Sequence, residues 1–214
     1  MQKKIISKFK NKLRQNDIVL EYPEMYPETF MKIKSSYSQN EHFLWDYNVI
    51  GYHGTRLFPS EYENILKNGL SETNKELFIK KVKLIRNRKY KKYLLNKLST
   101  LETTKSDGKI YLKFGKNEFS KYDVIFLNNW GGETIYNFYD LGGRENKLQR
   151  EIGEYLRART TPYIIVCRVK ISNALDFIMN AKGLKNEASG CIDVNDIEVL
   201  DIFSVTDKDI KGVK

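Results

Sequence analysis

The segment FLWDYNVIGYHGTRLFPSEYENILKNGL, residues 43–70, contains a strand pattern followed directly by a helix pattern. Residues 43–52 are rich in aromatic and β-branched side chains, which favour a strand, and the strand is predicted to run into the corner Tyr52-His53-Gly54-Thr55-Arg56. In residues 59–70, Ser60 suits a helix N-cap and Gly69 suits the position after a helix end. The segment therefore predicts a strand, a functional corner at His53 and a helix.

Further strand and helix patterns lie on both sides of this segment. Strands are predicted from the alternating or continuous apolar runs at 108–114, 162–171, 191–194 and 197–205. Helices are predicted at 3–14, where the helix is basic and amphipathic, at 75–98 as one helix or a helical hairpin, and over much of 117–158. The sum predicts an α+β fold in one domain over 1–214, with a helical N-terminal extension (1–42) and a basic helical insertion (74–100).

The net charge of +10 favours polyanionic partners, because cations placed near phosphates release condensed counterions. The alternative is a lysine-rich surface without a specific partner. Much of the charge lies in residues 75–98, where ten Lys and Arg stand against one acid, Glu76. The residues predicted to bind nucleic acid combine cations with an aromatic side chain that could stack on a base: Lys80, Lys81, Lys83, Arg86, Arg88, Lys89, Tyr90, Lys91 and Lys92.

Other classes of protein find little support in the sequence. There is no apolar run long enough for a membrane-spanning helix and no secretory signal, so a cytoplasmic protein is predicted. Cys167 and Cys191 both lie in strand-like segments, which suits small buried residues in a reducing compartment. The two histidines and two cysteines lack the spacing of metal ligands, and no metal is expected.

The corner at His53 can carry chemistry. Gly54 has no Cβ and lets a ligand approach the backbone, the imidazole of His53 can bond a ribose hydroxyl, and Arg56 can pair with a phosphate. The alternative is that His53 is a satisfied structural residue.

Tyr52-His53-Gly54-Thr55, followed by the helix end Ile-Leu-Lys-Asn-Gly-Leu, resembles the first motif of the ADP-ribosyltransferase superfamily of the diphtheria-toxin and poly(ADP-ribose) polymerase type. The second motif of that family is Gly-x-Tyr followed by an apolar residue, and Gly108-Lys-Ile-Tyr111-Leu is similar to it. A second tyrosine follows eleven positions later, at Tyr122. The resemblance implies the family's split-sheet fold, with NAD as co-substrate and its nicotinamide ring held between Tyr111 and Tyr122. It also implies an NAD site that includes His53, Gly54, Thr55 and Arg56.

The third motif of the family is a catalytic glutamate, which stabilises an oxocarbenium-like transition state. Glu187 is favoured because it precedes a late strand, as in the family. Glu133, in Trp-Gly-Gly-Glu133, is the competing candidate and would otherwise line the acceptor side. Relatives that modify arginine carry an acid or amide two positions earlier, whereas this chain has Lys185 or Gly131 there. Arginine modification is therefore not expected.

The basic surface favours a nucleic-acid acceptor, RNA before DNA. Some bacterial relatives of this kind are toxins in toxin–antitoxin or phage-defence systems, and the resemblance extends the expected partners to an antitoxin protein. Three alternatives stay open: transfer to a protein side chain, hydrolysis of NAD with water as acceptor, and a non-catalytic basic protein that binds nucleic acid.

Overall fold

A computed structural model describes residues 10–19, 35, 46–72, 74–99, 108–114, 127, 146–180 and 189–206. Within them the strands are β1 (Asp17–Ile18), β2 (Asn48–Leu57), β3 (Lys109–Lys113), β4 (Thr161–Lys170), β5 (Ser189–Asp193) and β6 (Ile197–Ser204). The α-helices are α1 (Pro59–Asn68), α2 (Lys75–Lys83), α3 (Arg88–Ser99), α4 (Lys147–Arg157) and α5 (Ile171–Asn180). These elements confirm the predicted α+β class.

The described strands form one six-stranded sheet. Its order is β5-β3-β2-β4-β6, and β1 pairs in addition with β2. The pair β1–β2 is parallel, whereas β2 and β3 are antiparallel with Tyr52 opposite Lys113. The strands predicted at 108–114, 162–171 and in the last part of the chain are confirmed. Short 3₁₀ turns occupy Lys10–Lys12 and Val194–Asp196. Of the predicted helix 3–14 only residues 10–14 are described, and the prediction is wrong for them, because the 3₁₀ turn ends at Lys12 and no α-helix follows it.

The chain divides into two compact units. The first comprises Met1–His53, Tyr111–Phe119 and Ile165–Phe203, and the second comprises Gly54–Ile110, Ser120–Ile164 and Ser204–Lys214. Strands β2, β3, β4 and β6 contribute residues to both, β6 through Ser204 alone in the second.

At two glycines of the first unit a neighbouring ring leaves little or no room for a side chain. A Cβ at Gly190 in β5 would lie 2.2 Å from the ring of Phe177 in α5, so only glycine lets this helix and strand approach as they do. A Cβ at Gly51 in β2 would lie 3.1 Å from the ring of Phe114 and 3.3 Å from Leu112. Both contacts place an apolar side chain against bare backbone.

The second unit is built around an apolar cluster between helices. Phe58, Phe78, Val82, Ile85, Leu94, Leu98, Ile152 and Leu156 form it. Phe58 directly follows β2, Ile85 lies in the turn between α2 and α3, and the others come from α2, α3 and α4; all are at most 8% exposed. The predicted basic segment 75–98 is thus a helical hairpin, and its apolar side anchors it to α4. We call α2, α3 and the turn between them (residues 75–99) the basic hairpin.

Helix α1 begins two residues earlier than the predicted cap at Ser60 implies, so that prediction is wrong. Phe58 is the N-cap residue, and its extended backbone (φ −68°, ψ 156°) follows from the proline after it, since a residue before proline avoids the helical region. The N–H of Phe58 donates to Glu61 Oε2 at 2.8 Å. At the other end Gly69 has φ +77°, a conformation that favours glycine, and this confirms the predicted end of the helix.

Candidate functional site

His53 lies inside β2, four residues before the strand ends at Leu57. The prediction that the strand runs over 43–52 and ends at His53 is wrong at its end, because β2 continues from Asn48 to Leu57. The prediction read the glycines as the end of the strand. Gly51 instead marks the place where the Phe114 ring packs closely on β2. Residues 43–45 lie outside the described part of the chain.

The imidazole of His53 contacts the second motif directly. Its Nδ1 lies 2.9 Å from the main-chain oxygen of Tyr111, a residue 58 positions away in sequence. A carbonyl oxygen only accepts hydrogen bonds, so the Nδ1 of a neutral His53 carries the proton and donates, and Nε2 becomes the acceptor nitrogen. Such a ring has a fixed tautomer and a fixed orientation, which is what a hydrogen bond to a ribose hydroxyl requires.

The side chains of His53 and Tyr111 emerge on different faces of the sheet. Continuing the antiparallel register from Tyr52 and Lys113 sets His53 opposite Leu112, and successive residues of a strand point to opposite faces. The Tyr111 ring is 40% exposed, whereas Leu112 is buried. The structure therefore brings the His53 ring to the Tyr111 main chain, and it leaves the Tyr111 ring accessible to a ligand.

Arg56 is a buried residue with internal partners. The residue is 4% exposed. Its guanidinium donates to Thr160 Oγ1 at 3.1 Å, to Thr160 O at 2.7 Å, to Leu127 O at 3.2 Å and to Arg157 O at 3.0 Å. Thr55 is also 4% exposed. These contacts favour a structural role for Arg56, since a phosphate would have to displace protein oxygens that already hold every guanidinium nitrogen.

Three predicted site residues, Tyr122, Glu133 and Glu187, lie outside the described residues. The nicotinamide sandwich and the choice of catalytic glutamate therefore stay predictions.

The basic hairpin presents most of its predicted cations to solvent. Lys80, Lys83, Arg86, Arg88, Lys89 and Lys92 are exposed, and Lys81 and Lys91 are partly buried. Lys81 forms an ion pair with Glu61 in which both side chains are largely buried, so its charge is used inside the fold. Lys89 lies 3.8 Å from Glu151, a looser contact at the surface. The cationic face is therefore centred on the six exposed residues.

The tyrosines of the basic hairpin lie on its apolar side. Tyr90 and Tyr93 are partly buried and pack against the cluster between the helices. The Tyr90 ring also meets Tyr155 edge to face, with 5.3 Å between the ring centroids and 75° between the planes. These contacts give Tyr90 a packing role, whereas the sequence had suggested stacking on bases.

Arg168, Asp17 and Glu198 form an ion network in the first unit that the sequence analysis did not predict. Arg168 in β4 donates through Nε and Nη2 to Asp17, at 2.7 to 3.0 Å, and Nη1 lies 2.7 Å from Glu198. Asp17 also accepts from the Arg14 N–H at 2.8 Å and from Asn48 at 3.0 Å. The signal in the sequence was a single arginine within the apolar run 162–171, since a buried charge requires a partner.

This network shifts the pKa values of its members in opposite directions. Burial would raise the pKa of Asp17, but the hydrogen bonds from Arg168, Arg14 and Asn48 outweigh it and hold that pKa below its ordinary value. Burial would lower the pKa of Arg168, and its bonds to Asp17 and Glu198 raise that pKa instead. Both residues are charged at neutral pH and hold each other, which indicates a structural role.

Cys167 is fully buried, which raises the pKa of its thiol far above the ordinary value, and Cys191 is exposed. Neither cysteine is disulfide-bonded. Among the described residues no three His, Cys, Asp or Glu side chains are grouped to hold a metal ion. The described helices include none with the length and apolar character needed to cross a membrane.

Comparison with known proteins adds no relative to this description. No protein-family model, no curated protein and no solved structure matches the chain.

Proposed function

We propose that the protein is an ADP-ribosyltransferase that cleaves NAD at the nicotinamide ribose and transfers ADP-ribose to nucleic acid, with RNA favoured over DNA. The observation that carries the proposal is the contact between the two sequence motifs: the His53 ring is bonded to the Tyr111 carbonyl, on the neighbouring strand of the sheet. A histidine of fixed tautomer suits a sugar hydroxyl and an exposed aromatic residue suits a flat ring, and the proposal requires one dinucleotide to reach both, although the two side chains leave opposite faces of the sheet.

Within this proposal the residues have separate roles. His53 orients the nicotinamide ribose, Tyr111 and Tyr122 hold the nicotinamide ring, and Glu187 stabilises the positive charge that develops on the ribose as nicotinamide leaves. Glu133 is the alternative acid. The acceptor nucleophile then attacks the ribose carbon from which nicotinamide has departed, and its proton passes to the glutamate. The split-sheet fold of the family is part of the proposal.

The decisive assay measures release of nicotinamide from NAD by the purified full chain, in the presence of RNA, DNA, protein or water alone. We expect release, and transfer of label from the adenylate half of NAD to RNA. Replacing Tyr111 by alanine should lower the rate at least about fivefold, because an aromatic stacking contact contributes about 1 kcal/mol or more. Glu187→Gln should lower it about 100-fold or more, as expected for loss of a catalytic carboxylate.

Tyr47 offers a matched control, since it is 36% exposed, close to the 40% of Tyr111, and precedes β2. Tyr47→Ala should leave the rate unchanged. Equal rates for the two alanine variants would remove Tyr111 from the site, and full activity of Glu187→Gln with loss in Glu133→Gln would transfer the catalytic role to Glu133. If the wild-type chain leaves NAD intact with every acceptor, the enzyme proposal is wrong.

A second candidate is a non-catalytic protein that binds nucleic acid. The exposed cations of the basic hairpin favour it independently of His53 and Tyr111. It predicts binding of RNA with no nicotinamide released, so the same assay separates the two candidates.

A further inference from the structure

The exposed face of the basic hairpin is a surface of cations with few anions. Its exposed cations recur at helical spacing, with Lys80 and Lys83 three apart on α2 and Arg88 and Lys92 four apart on α3. Glu76 is the one acid in the hairpin. In the described part of the chain, Lys89 is the one exposed hairpin cation with a carboxylate within ion-pair distance. A surface of this kind attracts polyanions.

Two of these cations occupy an electrostatically unfavourable place for folding. Arg88 and Lys89 lie in the first turn of α3, which has no acidic residue. The N-terminal end of a helix carries partial positive charge, so cations there oppose helix formation. The helix is nevertheless capped, since Asn87 accepts from the Tyr90 N–H at 3.2 Å. Lys89 has Glu151 as a partner, whereas Arg88 has no carboxylate within ion-pair distance in the described part of the chain, so the charge of Arg88 does not stabilise the hairpin.

The aromatic residues of the hairpin are turned away from this face. Tyr90 and Tyr93 pack against the apolar cluster, and Tyr90 contacts Tyr155. Proteins that bind single strands without sequence preference combine a cationic groove with aromatic rings on which bases stack. The hairpin has the first of these features on its exposed face, and its tyrosines are engaged elsewhere.

We infer that the basic hairpin binds a nucleic-acid duplex through its phosphates and does not read bases. The inference rests on the proposed nucleic-acid acceptor and narrows it to double-helical segments. A duplex presents about one negative charge per 1.7 Å of its axis. Each phosphate that a cation neutralises adds about 0.9 to the steepness with which log K falls against log salt for a duplex, and about 0.7 for a single strand. With charge alone as the source of affinity, the duplex is the better ligand. Six exposed cations set an upper limit of about 5 for the slope of log K against log salt.

The test compares binding of the full chain, without NAD, to 20-base-pair RNA duplexes of two unrelated sequences and to a 20-nucleotide single strand. Fluorescence anisotropy over a salt series gives the affinity and the slope. We expect equal affinity for the two duplexes within about twofold, and weaker binding of the single strand. Tighter binding of the single strand, or strong preference for one duplex sequence, would overturn the inference.

A triple variant, Lys83→Gln, Arg88→Gln and Lys92→Gln, tests the surface itself. Glutamine has the helix propensity of lysine, and removal of Arg88 relieves the first turn of α3, so the variant should unfold at the same temperature or higher. We expect duplex affinity to fall about tenfold or more at 0.1 M salt and the slope to fall by about 2 to 3. The control replaces Lys67, Lys109 and Lys170, three exposed lysines outside the hairpin, by glutamine.

Both triple variants carry a net charge of +7, since each loses three from +10. If the control loses as much affinity as the hairpin variant, only net charge matters and the inference is overturned. Nicotinamide release with water as acceptor gives an independent readout of the proposed enzyme. If the wild-type chain releases nicotinamide but does not bind the duplex, the inference is overturned and the proposed NAD cleavage is supported. If the wild-type chain binds the duplex, the hairpin variant does not, and neither releases nicotinamide, the inference is supported and the proposed enzyme activity is refuted.

Discussion

Replacing Asp17 by asparagine should be among the most destabilising conservative changes in this chain. The Asp17 side chain is fully buried, and Arg168, 4% exposed, bonds to it through two nitrogens. Asparagine keeps the shape but removes the charge, and its NH₂ group would meet guanidinium donors. Breaking a buried ion pair on one side costs about 3 to 5 kcal/mol. Glu198 still pairs with Arg168 in the variant, so we expect the lower end, about 3 kcal/mol.

Urea unfolding followed by circular dichroism measures this loss as a change in the free energy of unfolding. For a chain of this size about 3 kcal/mol corresponds to a fall of about 6 to 12 °C in Tm. The matched control is Asp176→Asn, an exposed acid in α5, which should change stability by less than about 0.5 kcal/mol. A loss below about 1 kcal/mol in Asp17→Asn would refute the argument that this pair holds the first unit together.

The double variant Asp17→Asn with Arg168→Met tests the pairing itself. It leaves no unpaired charge, so its loss should be smaller than the sum of the single losses, by about 2 kcal/mol. Additive losses would show that the two residues act separately.

The pH dependence follows from the lowered pKa of Asp17. A carboxyl whose pKa is lower in the folded state stabilises the fold above its unfolded pKa, about 3.9, and this contribution is lost as the pH falls through the folded value. The difference in unfolding free energy between wild type and Asp17→Asn should therefore be constant from pH 5 to 8 and shrink below about pH 4. A difference that stays constant down to pH 2 would contradict the assignment.

Two further predictions concern the first unit. Gly190→Ala would put a Cβ 2.2 Å from the Phe177 ring and should lower the free energy of unfolding by about 1 to 3 kcal/mol. Adding Phe177→Leu to this variant should recover part of the loss. If thermal unfolding shows no loss in Gly190→Ala, the ring moves aside at little cost and the prediction is wrong. In the native protein a thiol reagent should label Cys191 within minutes and Cys167 only after denaturant is added. Mass spectrometry of the labelled peptides measures this, and equal labelling of the two cysteines in the native protein would contradict the prediction.

The sequence predicted those parts of the fold that depend on periodicity. The run 162–171 and the helical pattern at 75–98 each produced the expected element, since burial on one or both faces leaves a repeat in the order of residues. The end of β2 was missed because a glycine in sequence does not tell whether the chain turns or a neighbouring ring approaches. Gly51 does the second, and only the position of Phe114 reveals it.

For the candidate site, the pairing of the two motifs was foreseeable and the roles of single residues were not. The contact of His53 with Tyr111 agrees with the order of the motifs. Arg56 was assigned to a phosphate from its type alone, whereas the backbone oxygens around it depend on tertiary structure. The tyrosines of the basic hairpin were assigned to bases for the same reason, and the helical phase of Tyr90 places it against Tyr155 instead.

The contact of Phe114 with Gly51 constrains the register between strands β2 and β3. Because the Phe114 ring rests on Gly51, moving β3 by a single residue in either direction would bring a Cβ under the ring, at Ile50 or at Tyr52. Such a slip would also turn the Tyr111 side chain inward and the Leu112 side chain outward. The exposed phenol ring would then be replaced by an aliphatic side chain. By disfavouring these one-residue slips, Gly51 helps to determine which side chain of β3 is exposed.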